Sequence, residues 1–169
     1  MENGNLGGKR LGWAGAGRMG YSLARRLLEA ECDVAVYNRT RAQADPLSEH
    51  SATVVDSPAE LADRDIVFTM VAGSDDFKQV VVGPEGLLSR AGTTPSVIVD
   101  LTTVSPEASE QVRSQLAERE IALLAAPVSG NPKVVDAGLL TIVVSGPRQA
   151  YEQVAGYLEL LGQGVTYVG

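Results

Sequence analysis

The run Gly15-Ala16-Gly17-Arg18-Met19-Gly20 has the spacing of a loop that can cradle a phosphate. In a chain of 18 glycines the spacing alone says little, and an ordinary glycine-rich turn is the alternative. Its context decides for the phosphate. An apolar stretch at 11–14 leads in and an amphipathic stretch at 21–30 leads out. In such a strand–loop–helix unit Gly15 permits the tight turn. Gly17 lets backbone approach a pyrophosphate, and Gly20 lets helix and strand pack closely. The unbonded N–H groups and positive dipole end of the helix that starts at Met19, with Arg18 just before it, then favour the phosphate charge. About 20 residues on, dinucleotide loops of the NAD type carry an acid for the ribose 2′-hydroxyl. This chain has Asn38-Arg39-Thr40 instead. Asn38 is neutral, Arg39 offers a guanidinium fork for a 2′-phosphate, Thr40 adds a hydroxyl, and Arg41 adds nearby positive charge. Charge therefore favours NADP over NAD, with a solvated arginine as the bland account of Arg39.

Other chemistries lack residues. One histidine (His50) and one cysteine (Cys32) all but exclude a zinc site of the usual nitrogen and sulfur ligands. His50 sits in a polar stretch with no nucleophile signal beside it, which leaves no basis for a hydrolase triad. A net charge of −7 and a pI near 4.7 speak against nucleic-acid binding. No apolar run approaches the roughly 20 residues of a membrane span. Residues 1–8 have no apolar core of a secretory signal and read as a flexible leader. A lone cysteine makes a reducing, cytoplasmic setting the expectation.

These site residues must be held by a framework, and the rest of the 169 residues supplies one. Short β-branched runs predict strands at 9–14, 33–37, 52–55, 66–70, 97–101, 121–125, 140–144 and 165–168. Longer amphipathic runs predict helices at 19–30, 42–49, 58–62, 75–82, 106–119 and 148–161. The runs 66–70 and 97–101 are apolar on both faces, the pattern of strands covered by helices on either side. Strand–helix alternation predicts a Rossmann-type α/β domain over 9–169, doubly wound, with a mainly parallel sheet. The direction of the last strands is left open.

Several motifs resemble the β-hydroxyacid dehydrogenase family, which includes 3-hydroxyisobutyrate and 6-phosphogluconate dehydrogenases. They are the glycine loop with its Met19, the Asn38-Arg39-Thr40 turn, Val71-Ala72-Gly73-Ser74, and Gly83-Pro84-Glu85-Gly86-Leu87-Leu88. Asp100-Leu101-Thr102-Thr103-Val104-Ser105-Pro106 and Ala126-Pro127-Val128-Ser129-Gly130-Asn131 continue them in the family's order, followed by Gly138, Leu140 and Gly146. The resemblance implies that Val71 and Ala72 pass beside the cofactor. It also implies that Thr103, Ser129, Gly130 and Asn131 meet a small carboxylate substrate. All follow predicted strands at the edge where open α/β sheets bind ligands. Thr103 can donate to cofactor or substrate, and the Gly130 N–H can approach a carboxylate with no Cβ in the way. Capping of the helix begun by Pro106 is the structural alternative for Thr102, Thr103 and Ser105; we expect Ser105 to cap and Thr103 to face the ligand. Asn131 stands where the family has glycine, and Ala125 where many relatives have aspartate.

The resemblance also implies a catalytic lysine from an all-helical C-terminal domain, which nothing in this chain matches. The lysines are Lys9, Lys78 and Lys133. Lys133, near the substrate loop, reads as a surface residue. The expectation is thus the cofactor-binding part of a dehydrogenase of small 3-hydroxy acids or semialdehydes. It should be inactive alone, open to homo-oligomerisation, and apolar on the face where the helical domain docks. A stand-alone NADP-sensing module, a non-binding assembly module, an imine reductase and a glyoxylate or succinic-semialdehyde reductase are the alternatives.

Overall fold

Strands β1 (Arg10–Ala14), β2 (Asp33–Tyr37), β3 (Thr53–Val55), β4 (Ile66–Thr69), β5 (Val97–Asp100) and β6 (Ala122–Ala125) form one all-parallel sheet. Its order is β3-β2-β1-β4-β5-β6 in a computed structural model that describes residues 8–169. The expected leader therefore lies, Gly8 apart, outside the described residues. Among the described residues six α-helices accompany the strands: α1 (Arg18–Glu29), α2 (Arg41–Ala44), α3 (Ser74–Val82), α4 (Pro106–Ala117), α5 (Pro132–Asp136) and α6 (Arg148–Leu161). No helix of the described residues is long and apolar enough to cross a membrane.

The two-sided apolar strands divide the core as their period of two requires. Ile66 and Phe68 of β4, and Val97 and Val99 of β5, pack with α1 and α6 on one face. Val67 and Ile98 pack with Phe77, Val80 and Val81 of α3 and with Val112 and Leu116 of α4 on the other. Trp13 lies opposite Phe68 in the β1–β4 register, their rings stacked with centroids 5.5 Å apart. This is the doubly wound α/β fold expected from the alternation.

Three local expectations need correction. The single helix at 42–49 is a four-residue α2 followed by a 3₁₀ turn, Asp45–His50. Pro46 causes the break, since it has no N–H and its ring crowds the preceding turn. Likewise 58–62 is only a 3₁₀ turn, Pro58–Leu61, closed by a capping box between Ser57 and Glu60. The last strands, β8 (Thr141–Val144) and β9 (Gly164–Tyr167), leave the main sheet and join β7 (Val128–Ser129) in a second one. There β7 and β8 run antiparallel, while β8 and β9 are parallel. Alternation explains the departure: Ile142 and Val144 are buried while Thr141 and Val143 are exposed, so β8 has one wet face. Neither β7 nor α5 was expected.

Candidate cofactor cleft

The sheet order reverses beside β1, whose neighbours are β2 on one side and β4 on the other. Chains leaving β1 and β4 cross to opposite faces there, which opens a crevice at the strand ends. It holds a cleft of about 1050 Å³. One wall is the glycine loop and the turn after β2; the other is the segment after β4 with α3.

The glycines of the loop answer three different demands. Gly15 adopts φ +113°, and a Cβ there would lie 1.9 Å from the Met70 carbonyl oxygen. Gly20 faces the same limit from α1, where a Cβ would lie 1.9 Å from the Gly15 carbonyl oxygen. Gly17 is different. Its φ of −70° suits any residue, and a Cβ would meet nothing within 4 Å. The fold does not require a glycine at that position, and the missing side chain leaves α1's first turn open to an approaching group. With no side chain capping α1 and no acid in its first turn, the cradle fits a pyrophosphate.

Side chains brace the loop from both sides. Trp13 Nε1 donates to the Gly15 carbonyl at 2.8 Å, and the Gly15 N–H donates to the Tyr37 carbonyl at 2.9 Å. Asn38 Oδ1 accepts from the Ala16 N–H at 2.8 Å. Its Nδ2 donates to the Thr40 carbonyl at 2.9 Å and to Gln43 Oε1 at 3.0 Å. The Asn38 carboxamide thus ties the glycine loop to the turn that would hold the adenosine ribose. Ala16 is buried, its N–H spent on this tie.

Gly15, Gly17, Arg18, Met19, Asn38, Arg39, Thr40, Val71 and Ala72 all line the cleft. Arg41 does not, contrary to its expected share in the positive potential. Its guanidinium pairs with Asp45 and Asp56, and the Asp56 hydrogen bond raises its pKa further. An arginine beside acidic side chains is drawn to them rather than to a neighbouring site. Sequence reading named Val71 and Ala72 on the far wall but missed its other lining residues, among them Asp76 and Gln79 on α3 and Pro58, Pro84 and Glu85. The signal available was Gly83-Pro84-Glu85-Gly86, whose Glu85 carbonyl accepts from the Ala59 N–H.

Beneath Val71 lies a buried polar relay. Asp100, 3% exposed, accepts from Thr69 Oγ1 at 2.8 Å and from the Thr102 N–H at 3.0 Å through the same Oδ1. Thr102 Oγ1 in turn accepts from the Val71 N–H at 3.0 Å. Burial pushes the Asp100 carboxyl up from 3.8 to about 6, and the hydrogen bonds from Thr69 and Thr102 only partly offset it. Thr102 is therefore a brace for the cleft wall, whereas Thr103 is exposed beyond the cleft lining. Ser105 Oγ accepts from the Ala108 N–H at 3.1 Å and caps α4, as expected.

Ser129, Gly130 and Asn131 are not brought into the cleft; they form an exposed corner between β7 and α5. Gly130 takes φ +152°, where a Cβ would crowd Leu140 and Val134 at 2.9–3.0 Å. Asn131 Oδ1 accepts from the Val134 N–H at 3.0 Å, so the glycine-to-asparagine departure is the N-cap of α5. Lys133 is exposed on that helix. Leu139, Val143 and Val168, around the second sheet, are the large apolar residues left exposed among those described.

Comparison with known proteins agrees with this geometry. The family described as the NAD binding domain of 6-phosphogluconate dehydrogenase matches residues 10–169. A glyoxylate/succinic semialdehyde reductase 2 from the chloroplast of Arabidopsis thaliana is 33% identical over 165 residues, covering 97% of this chain and 46% of that protein. A probable mitochondrial 3-hydroxyisobutyrate dehydrogenase from Dictyostelium discoideum is 30% identical over 164 residues, covering 95% and 50%. The solved structure of Psf3 in complex with NADP+ and 2-OPP superposes with a TM-score of 0.84 at 33% identity, covering 94% of this chain and 56% of that one. The chain thus spans about half the length of the relatives it matches. On the match across residues 10–169, and on the relatives that share it, this chain belongs to the nicotinamide-cofactor-binding domain of the β-hydroxyacid dehydrogenase family.

Proposed function

We propose that this chain is the NADP-binding part of an oxidoreductase acting on a small 3-hydroxy acid or its semialdehyde. The observation that carries the cofactor choice is the cleft wall after β2. There a neutral Asn38 is locked in place beside Arg39, an exposed guanidinium, and the Asn38-Arg39-Thr40 turn itself carries no acid. A nicotinamide cofactor, when bound, would be the source or acceptor of hydride. The chain's own residues position it. The Gly17–Met19 backbone receives the pyrophosphate charge, and Arg39 and Thr40 meet the 2′-phosphate. Val71 and Ala72, held by Thr102 and Asp100, form the opposite wall.

Thr103, Ser129 and the Gly130 N–H orient the substrate carboxylate once it docks, with Asn131 fixing the Ser129–Gly130 turn through its cap on α5. The hydroxyl proton is handled by a lysine from a helical C-terminal domain, so this part alone binds cofactor with negligible turnover. Reduction of glyoxylate or succinic semialdehyde is the second reading, favoured by the Arabidopsis relative. We propose a cytoplasmic setting, on the sparse use of cysteine, Cys32 alone.

Calorimetric titration of the purified chain with NADPH and NADH tests the cofactor assignment. Tighter NADPH binding, with the gap narrowed by Arg39→Ala, is expected. Equal affinities overturn it.

A further inference from the structure

Arg39 does not stand free at the cleft. Its Nη1 lies 3.2 Å from Oδ1 of Asp76, which sits in the first turn of α3. The two residues are 37 positions apart, on opposite walls, and both line the cleft. The pair therefore bridges the mouth between the turn after β2 and the segment after β4. The Arg39 side chain is 83% exposed and that of Asp76 35% exposed, so the bridge is open to solvent and exchangeable. Arg41 cannot substitute, being held by Asp45 and Asp56. Of the lining residues only Arg18 and Arg39 are cationic, and Asp76 and Glu85 are the acids facing them.

We propose that Asp76 is a specificity-determining residue of the cofactor site. It competes with a 2′-phosphate for the Arg39 guanidinium and so sets how strongly the cleft distinguishes NADP from NAD. This rests on the assignment of Arg39 to the 2′-phosphate. Asp76 engages Nη1, so a phosphate dianion that takes the Nη1/Nη2 end of the guanidinium bidentately must displace the carboxylate from it. An adenosine with a free 2′-hydroxyl makes no such demand, so the exchange weighs on one cofactor alone. Asp76 also leaves a negative charge beside the displaced position, which opposes the incoming dianion further. An acidic residue on the far wall thereby tempers a preference written on the near wall.

The test titrates the purified chain with adenosine 2′,5′-bisphosphate and with 5′-AMP, comparing wild type, Asp76→Asn, Arg39→Ala and the double variant. Breaking an exposed pair and removing the repulsion should tighten the bisphosphate by about three- to five-fold in Asp76→Asn. Binding of 5′-AMP should stay within about two-fold, which also reports that the cleft is intact. In the Arg39→Ala background the Asp76→Asn gain should shrink, leaving only its long-range part. If wild type prefers the bisphosphate but Asp76→Asn leaves that preference unchanged or weakens it, Asp76 does not compete and the proposal falls alone. If wild type shows no preference for the bisphosphate over 5′-AMP, the NADP assignment falls, and this proposal with it.

Discussion

Replacing Asp100 by asparagine should stabilise this protein at neutral pH, although the residue sits at the centre of a hydrogen-bond relay. The folded carboxyl is raised by burial from 3.8 to about 6. An acid raised in this way contributes its full stability below pH 3.8, where it is protonated in both states. That contribution is lost as pH rises through about 6, because only the unfolded state ionises freely in that window. A shift of about two units corresponds to a penalty on the order of 3 kcal/mol at pH 7 and above. Asparagine removes the charge and keeps an Oδ1 that can accept from Thr69 Oγ1 and the Thr102 N–H. The Thr102–Val71 bond is untouched, so cofactor affinity should change by less than about two-fold. Urea unfolding at a series of pH values, extrapolated linearly to water, measures the difference. Asp100→Asn should exceed wild type by up to about 3 kcal/mol near pH 8, with the gain fading to near zero by about pH 4. A gain independent of pH, or a loss at pH 8, would refute the claim that ionisation of a buried Asp100 strains the fold.

The three loop glycines should separate by the kind of damage their alanine variants suffer. Gly20→Ala, with its Cβ 1.9 Å from the Gly15 carbonyl oxygen, should cost roughly 2–4 kcal/mol in urea unfolding and lose cofactor binding. Gly17→Ala has open space and should stay within about 1 kcal/mol of wild type, yet weaken NADPH at least about ten-fold by calorimetry. Asn38→Asp keeps the Ala16 acceptor but sets a carboxylate against the Thr40 carbonyl, Gln43 and an incoming 2′-phosphate. The NADPH-to-NADH affinity ratio should fall by about ten-fold in parallel titrations. Ser105→Ala removes the α4 cap and should cost about 1 kcal/mol of unfolding free energy with cofactor affinity unchanged.

What the sequence made legible follows from where its constraints are local. The apolar runs at 66–70 and 97–101 have the length and pattern of strands covered on both faces, and the glycine loop carries its own spacing. Segments decided by tertiary contact were harder. Helix α5 has the start signature of Asn131 followed by Pro132, but with only five residues it shows no period. Strand β7 has two residues and exists because β8 turns back beside it. In the cleft, the near wall follows the glycine loop along the chain and could be named residue by residue. On the far wall only Val71 and Ala72 could be named; the part from α3 could not, since no spacing relates Asp76 to Arg39 before the chain has folded. Thr102 illustrates the same limit, since choosing between Thr102 and Thr103 required knowing which hydroxyl meets the Val71 N–H.

The acidic balance of the chain shapes how such a cleft must attract an anion. A guanidinium on a flexible stem is captured by whichever carboxylate is near, as Arg41 is by Asp45 and Asp56 and Arg39 by Asp76. Backbone N–H groups at the start of α1 cannot be captured in this way. The Trp13 and Asn38 hydrogen bonds fix the loop that carries them, and no acid stands in the helix's first turn. In a protein of net charge −7, the pyrophosphate is therefore best held by backbone, which is rigid and common to both cofactors. Discrimination between the cofactors falls to side chains, which are exchangeable and open to competition. The division explains why the loop is braced at both sides while Arg39 is left four-fifths exposed to solvent.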